Sequence, residues 1–182
     1  DMPQLGSFQC SDDRVNDVWN TAARTLHLCC QAYIWDGIKR DRLVWMGDMH
    51  PEVMAMMAVF GPQDIVNASL DYMQNTTPSD QWMNGMPSYT LWWLRCQHDW
   101  YVYTGDLDYL KGHHSYIVDV FANLDAYIDN NNTCTMPKGF LDWPTQANRP
   151  AVDAGMHALM LMTYENGVAM AEALGDRSLL QR

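Results

Sequence analysis

Basic residues are scarce in this sequence, and their scarcity limits the partners that it can have. There are 11 Lys and Arg against 22 Asp and Glu in 182 residues, which gives a net charge of −11. Binding to a nucleic acid requires cations that neutralise phosphates, so we expect no nucleic-acid partner. Apolar runs of roughly 18–20 residues, the length that crosses a bilayer, are also lacking, so we expect no membrane partner.

Paired cysteines and metal-binding motifs are missing as well. The five cysteines are an odd number without a Cys-x-x-Cys pair, which disfavours a disulfide framework and a zinc site. Neither an Asp-x-Asp-x-Asp-Gly loop nor a His-Glu-x-x-His motif occurs, so we predict no metal and no cofactor. A secretion leader is not visible, and the compartment stays open, a bacterial periplasm or the extracellular space included. We interpret the remaining candidates as buried free thiols and structural histidines: Cys10, Cys29, Cys30, Cys96, Cys134, His50, His98 and His157.

Helical periodicity, in contrast, runs through the whole sequence. Apolar residues make up 48% of the chain and recur at three- and four-residue spacing, which predicts an all-α domain. No stretch has the alternating pattern of a strand or the composition of an interdomain linker. The predicted helices cover residues 11–34, 52–60, 63–74, 89–103, 107–128 and 151–174, with a seventh beginning at 176–180.

The connections between these helices alternate in length. Those after the first, third and fifth helices are long (residues 36–48, 75–88 and 129–153), whereas the others are short breaks centred on glycine. Successive helices of such an array run antiparallel, so the long loops emerge at the same end. We therefore predict that the three long loops form one face, and that binding or catalysis is located there.

The loop at residues 36–48 has an unusual charge composition. It contains three carboxylates, Asp36, Asp41 and Asp48, together with three of the eleven basic residues within four positions. One interpretation is an ion-pair network that fixes the loop. The other is a catalytic site, because a cluster of carboxylates raises the pKa of one member and keeps it protonated near neutral pH. Composition alone does not choose between them.

The order of residues in this loop carries a family resemblance. Residues 35–48 read WDGIKRDRLVWMGD, and shorter motifs follow the same pattern: SDD at 11–13, YTGD at 103–106, LDW at 141–143 and LGD at 174–176. Together they resemble glycoside hydrolase family 78, the α-L-rhamnosidases, over essentially the whole chain. The resemblance implies a catalytic (α/α)6 barrel of six antiparallel helical hairpins. Since periodicity predicts about three hairpins, we expect residues 1–182 to be the N-terminal part of that domain, a partial barrel.

The resemblance also implies roles for individual residues. Asp41 occupies the position of the general acid, where many members of the family carry Glu, whose side chain is longer by about 1.5 Å. Asp36 and Asp48 match acidic residues that bind sugar hydroxyls. The family's general base is a Glu far along the chain, and no residue here corresponds to it. The other residues that we assign to substrate binding are Arg40, Trp45, Trp82, Trp92, Asp142 and Trp143.

These roles lead to one functional expectation and two alternatives. We expect hydrolysis of terminal α-L-rhamnosyl residues with inversion, through Asp41 and a base outside this chain. Fold and loop do not fix the sugar, so another glycosidase specificity on the same barrel is the first alternative. The second is a helical array that binds carbohydrate or a protein without catalysis. A partial barrel would expose the apolar flanks of its terminal hairpins, so we also expect self-association.

Overall fold

Seven α-helices form within residues 2–137 and 139–181, the residues described by the structure, which is a computed structural model. These ranges contain no β-strand and only two isolated bridges, so the predicted all-α class is confirmed. No helix in them has the length and apolar character required to cross a membrane. The helices are α1 (Asp13–Cys29), α2 (Met46–Val59), α3 (Asp64–Thr76), α4 (Pro87–Thr104), α5 (Leu107–Gly112), α6 (His114–Asp125) and α7 (Arg149–Leu174). Three short 3-10 turns lie at Met83–Gly85, Trp143–Thr145 and Leu179–Gln181.

The helices form three hairpins, with α4 at the centre of the array. α4 packs against α2 on one side and against α7 on the other. Two buried tryptophans of α4 attach it to α3: Trp93 Nε1 donates to the Leu70 carbonyl (3.1 Å) and Trp100 Nε1 donates to Asn67 Oδ1 (2.6 Å). A buried indole needs such an acceptor. These two tryptophans therefore belong to the core.

The first helix is shorter than predicted. It ends at Cys29 and does not continue to residue 34. The chain turns after Cys30, and the buried Ile34 donates its N–H to Ser69 Oγ in α3 (2.9 Å). A side chain from another helix thus satisfies a backbone donor that a longer α1 would have satisfied internally.

The second helix begins at Met46, within the charged loop, whereas the sequence favours Asp48 or Pro51 as the residue that opens it. Asn84, from the second long loop, stabilises this start. Its Oδ1 accepts from Met46 N (3.0 Å), and its Nδ2 donates to the Val44 carbonyl (3.0 Å). The first N–H groups of a helix have no partner within the helix, so a capping group from elsewhere can fix where the helix begins.

The predicted helix at 107–128 is divided into α5 and α6 at His113. The His113 side chain is buried, contacts Asp71 Oδ1 through Nε2 (3.1 Å) and is hydrogen-bonded to Gln74, both on α3. Because the ring is held by α3, the backbone at His113 departs from a continuous helix. Periodicity alone gave no indication of this break.

A polar network connects three helices of the array, α2, α4 and α7. The Asp99 carboxylate is hydrogen-bonded to His50 (2.9 Å) and His98 (2.7 Å), and Arg95 lies 3.5 Å away. Arg95 and His98 also contact Asn166 of α7. Burial by itself would raise the pKa of Asp99, but the hydrogen bonds from the two histidines and the charge of Arg95 hold it well below its usual range. His50 and His98 are therefore structural, as predicted.

Replacing Asp99 with Asn should lower the free energy of unfolding at pH 7 by about 1.5–3 kcal/mol, because hydrogen bonds to a charged acceptor are lost. The folded-state pKa of Asp99 is lowered, so its contribution is complete above the unfolded value of 3.8 and disappears as the pH falls through the folded value. Urea unfolding of the wild type and the variant at pH 7 measures the difference in unfolding free energy. The same comparison near pH 2 shows how far that difference decreases in acid. Asp108→Asn, at an exposed ion pair with Lys111, is the control, and equal curves for the two variants at pH 7 would contradict the prediction.

The two outer flanks of the array expose apolar side chains. On α1, Val15 and Val18 are 44% and 68% exposed, and on α7, Leu161 and Val168 are 57% and 47% exposed. Exposed apolar surface of this kind favours association with another surface. Self-association through these flanks stays a prediction.

We expect residues 1–182 to form concentration-dependent oligomers in sedimentation velocity experiments. The double variant Val18→Lys and Leu161→Lys should shift the population toward monomer, because it places a charge on each flank. Val102→Lys is a matched control, since Val102 is 67% exposed near the end of α4. A monodisperse monomer at all concentrations would refute the expectation.

Candidate functional site

A cavity of about 480 Å³ opens at the N-terminal ends of α2 and α4. All three long loops contribute to it, as the alternation of connection lengths predicted. Its lining includes eight of the nine residues that the sequence assigned to the site: Asp36, Arg40, Asp41, Trp45, Asp48, Trp92, Asp142 and Trp143.

Trp82 is the predicted residue that the structure does not bring to this cavity. Its ring packs against Tyr127, with ring centroids 5.4 Å apart, at the end of the α6 hairpin. The turn that follows buries Met83 and directs Asn84 toward the first loop. Trp82 therefore lies outside the cavity and packs within the array. Its neighbour Asn84, and not its own ring, contacts the first loop.

The first loop is closed by Asp36. Its Oδ1 accepts from Leu43 N (3.1 Å), and the Leu43 carbonyl accepts from Asp36 N (3.2 Å). Arg42 takes a left-handed conformation with φ of 55°, and its Nε donates to the Ile38 carbonyl (3.1 Å). Such a conformation is unfavourable for a residue with a side chain, so the surrounding hydrogen bonds must hold it.

The charged side chains of this loop form one exposed ion pair. The Arg40 side chain is 87% exposed and pairs with Asp41 at 3.2 Å. Across residues 2–137 and 139–181, no other ion pair involves the 36–48 loop. The loop is therefore held by backbone hydrogen bonds and by Asp36, and the interpretation as an ion-pair network does not describe it.

The cavity is instead lined by four acids, Asp36, Asp41, Asp48 and Asp142. Partial burial raises the pKa of Asp48, and the charges of Asp36 and Asp142 raise it further. Burial also raises the pKa of Tyr89, and the charges of Asp48 and Asp142 raise it further. Within the described residues, no three His, Cys, Asp or Glu side chains are grouped as a metal site would need. A negative cavity of this kind favours hydrogen-bond donors such as hydroxyl groups.

An aromatic wall runs from the interior of the cavity to its rim. The ring centroids are 6.1 Å apart for Trp45 and Tyr89, 6.3 Å for Tyr89 and Phe140, and 5.2 Å for Phe140 and Trp143. Trp143, at the rim, is 77% exposed. Exposed aromatic faces beside carboxylates suit a ligand with both apolar and hydroxyl-bearing surfaces.

The third loop is positioned by contacts with α4 and α7. Ser88 Oγ of α4 donates to the Phe140 carbonyl, and Asp142 Oδ1 accepts from Trp143 N (2.7 Å). Leu141 lies so close to Gly155 of α7 that a Cβ there would be 2.1 Å from Leu141 Cδ1. These contacts fix Asp142 and Trp143 relative to the two helices.

Sequence reasoning missed part of the lining. Tyr89 had a usable signal, because it lies in the first turn of the helix that follows a long loop and therefore at the cavity end. Gly47 is required by the close approach of Tyr89, whose Cε1 would lie 2.2 Å from a Cβ at that position. The residues missed are Gly47, Pro51, Met86, Tyr89, Phe140 and Leu141.

Comparison with known proteins identifies related sequences and folds. The sequence profile described as the bacterial alpha-L-rhamnosidase 6 hairpin glycosidase domain matches residues 3–177. None of the curated protein sequences matches this chain.

Two solved structures share the fold. The crystal structure of a GH78 family rhamnosidase of Bacillus sp. GL1 matches with a TM-score of 0.82 and 21% identity, over 100% of this chain and 20% of that chain. A rhamnosidase from Klebsiella oxytoca with rhamnose bound matches with a TM-score of 0.70 and 17% identity, over 98% of this chain and 38% of that chain. This chain thus spans well under half the length of either protein.

Replacing Gly47 with Ala should displace Tyr89 from the cavity wall, because the new methyl group would overlap its ring. We expect a loss of about 1–3 kcal/mol in unfolding free energy, the usual cost of overpacking, and a shifted Tyr89 ring in a crystal structure of the variant. Gly37→Ala, in the same loop with no atom within 4 Å of its Cβ position, is the matched control. Equal stability of the two variants and an unmoved Tyr89 would show that this contact does not shape the cavity.

Proposed function

Because the chain belongs to the bacterial α-L-rhamnosidase six-hairpin glycosidase family, we propose that it supplies the acid and the sugar-binding residues of a site that removes terminal α-L-rhamnose from glycans or glycosides. The observation that carries this proposal is the convergence of eight predicted residues from separate segments on one cavity. The Klebsiella oxytoca rhamnosidase has rhamnose bound, which supports rhamnose as the sugar to test.

Sugar recognition in this proposal combines the acids with the aromatic wall. Asp36 and Asp48 accept hydrogen bonds from the sugar hydroxyls, and Asp142 adds an acceptor from the third loop. Trp92 and Trp143 offer ring faces to the apolar side of the sugar. Trp92 is fixed for this by stacking on His50, with centroids 5.1 Å apart.

Asp41 is the proposed general acid. It lines the cavity, and 36% of its side chain is accessible to a ligand. Its partner Arg40 is mostly in solvent, so their ion pair is screened and weak. We infer that Asp41 separates from Arg40 when the sugar binds, takes up a proton from solvent and then donates that proton to the leaving oxygen.

The general base is the second requirement. An inverting glycosidase needs a carboxylate about 6.5–9.5 Å from the acid to activate water from the opposite face of the sugar. We propose that this base lies in a part of the polypeptide outside residues 1–182, which would form the N-terminal portion of a longer catalytic domain. The small share of each matched structure that this chain covers supports that arrangement.

A second candidate function is carbohydrate binding without catalysis. The Arg40–Asp41 ion pair favours it, since the proposed acid contacts a cation in the free protein. Rhamnose binding without turnover in the complete natural polypeptide would support this candidate. Turnover of a different glycoside in preference to a rhamnoside would instead support another sugar specificity on the same fold.

Asp41→Asn in the complete natural polypeptide should lower kcat by about 10²–10⁴-fold on a rhamnoside with an alkyl leaving group, because that group needs a proton as it departs. The loss should be smaller on p-nitrophenyl α-L-rhamnoside, since p-nitrophenolate leaves with little assistance. Initial rates on both substrates give the comparison.

Asp108→Asn, far from the cavity and almost fully exposed, serves as the control and should match the wild-type protein on both substrates. An equal loss on both substrates would make Asp41 a binding residue and not the acid. Unchanged activity would remove it from the site altogether.

A further inference from the structure

Glu52 occupies a position in α2 that the proposed mechanism does not use. It follows Asp48 by one helical turn, so the two carboxyls share a face of the helix. Glu52 does not line the aromatic cavity. It lines a second cavity of about 720 Å³ between α1 and α2, and Asp36 and Pro51 line both cavities. The Glu52 carboxyl therefore lies behind the acids of the sugar site.

No basic side chain pairs with Glu52 among the described residues. The described residues that line the second cavity include no Lys, Arg or His. The ion pairs formed within residues 2–137 and 139–181 do not involve Glu52 either. The titratable groups that face it are Asp17, Cys29 and Cys30 from α1 and the turn after it, Asp36 from the first loop, Asp48 from α2 and Cys96 from α4.

We propose that Glu52 is a positioning residue of the sugar site, and that its uncharged carboxyl lets the first loop, with Asp36, stay packed beside α2, with Asp48. An ionised Glu52 would add negative charge beside these two acids. Repulsion would then separate the first loop from α2 and disturb the two acceptors. The inference rests on the proposed function, because it assigns Asp36 and Asp48 to sugar hydroxyls.

The electrostatics of the cluster agree with this role. Burial raises the pKa of Glu52 from 4.5 to about 8, and the charges of Asp48 and Asp36 contribute to the shift. Burial also raises the pKa values of the nearby thiols, so they add no negative charge to the cluster at neutral pH. A pKa of about 8 favours the protonated form of Glu52 at neutral pH.

The protonation of Glu52 can be observed directly, because the sequence has only three glutamates, Glu52, Glu165 and Glu172. In residues 1–182 labelled with ¹³C at the glutamate side-chain carboxyl, Glu52→Gln identifies its signal by removing it, and Glu172→Gln removes another. We expect the Glu52 signal to titrate near pH 8. Titration at the ordinary value of 4.5 would overturn the inference, whatever the sugar site does.

The functional effect is measured as the pH dependence of rhamnose binding by the complete natural polypeptide. Proton and sugar binding are linked, so we expect affinity to fall about tenfold between pH 6.5 and 9.5, a typical coupling between two sites. Glu52→Gln, which stays neutral, should vary by less than about twofold, whereas Glu172→Gln should follow the wild type.

The outcomes separate the two proposals. Identical pH profiles for wild type and Glu52→Gln would overturn the positioning role and leave the proposed function intact. Failure of the wild type to bind rhamnose at pH 6.5 would overturn the proposed function and this inference with it. If affinity for rhamnose falls at alkaline pH in the wild type and in Glu172→Gln but not in Glu52→Gln, the result supports both the proposed function and the positioning role.

Discussion

The arrangement of the cavity depends on the two hydrogen bonds made by the Asn84 side chain. By accepting from Met46 N and donating to the Val44 carbonyl, it fixes the start of α2 and ties the first long loop to the second. Trp45 and Asp48 lie immediately beside this clamp, so their positions follow from it. Asn84 itself has φ of 51°, a conformation that asparagine tolerates better than most residues. One amide thus joins two loops that are about forty positions apart.

The cavity concentrates negative charge at a cost in stability. A fold optimised for stability would pair Asp36, Asp48 and Glu52 with cations, but the side chain of Arg40 in the first loop is 87% exposed and pairs with Asp41. Burial and neighbouring carboxylates instead raise the pKa values of Asp48 and Glu52. Perturbed carboxyls gathered at a cavity are typical of functional sites, because selection for binding or proton transfer tolerates a local loss of stability.

Tryptophan serves two different purposes in this chain, and position within the array decides which. Trp93 and Trp100 face α3, where a backbone or side-chain acceptor satisfies each indole, so they hold helices together. Trp45, Trp92 and Trp143 lie at the loop end of the same array and remain partly or largely exposed. The same ring chemistry therefore contributes to the core at one level and to the lining of the cavity at another.

The sequence by itself determined most of the helices and the end of the array at which the long loops meet, because periodicity and connection length are local properties of the chain. The role proposed for Asp41 came from the resemblance of the first loop to a family motif. Tertiary structure decided the start of α2, the exclusion of Trp82, the inclusion of Tyr89 and the isolation of Glu52 behind the acids. Each of these four features depends on whether a side chain from a distant segment is in contact. A local sequence pattern does not indicate which distant side chains will be in contact.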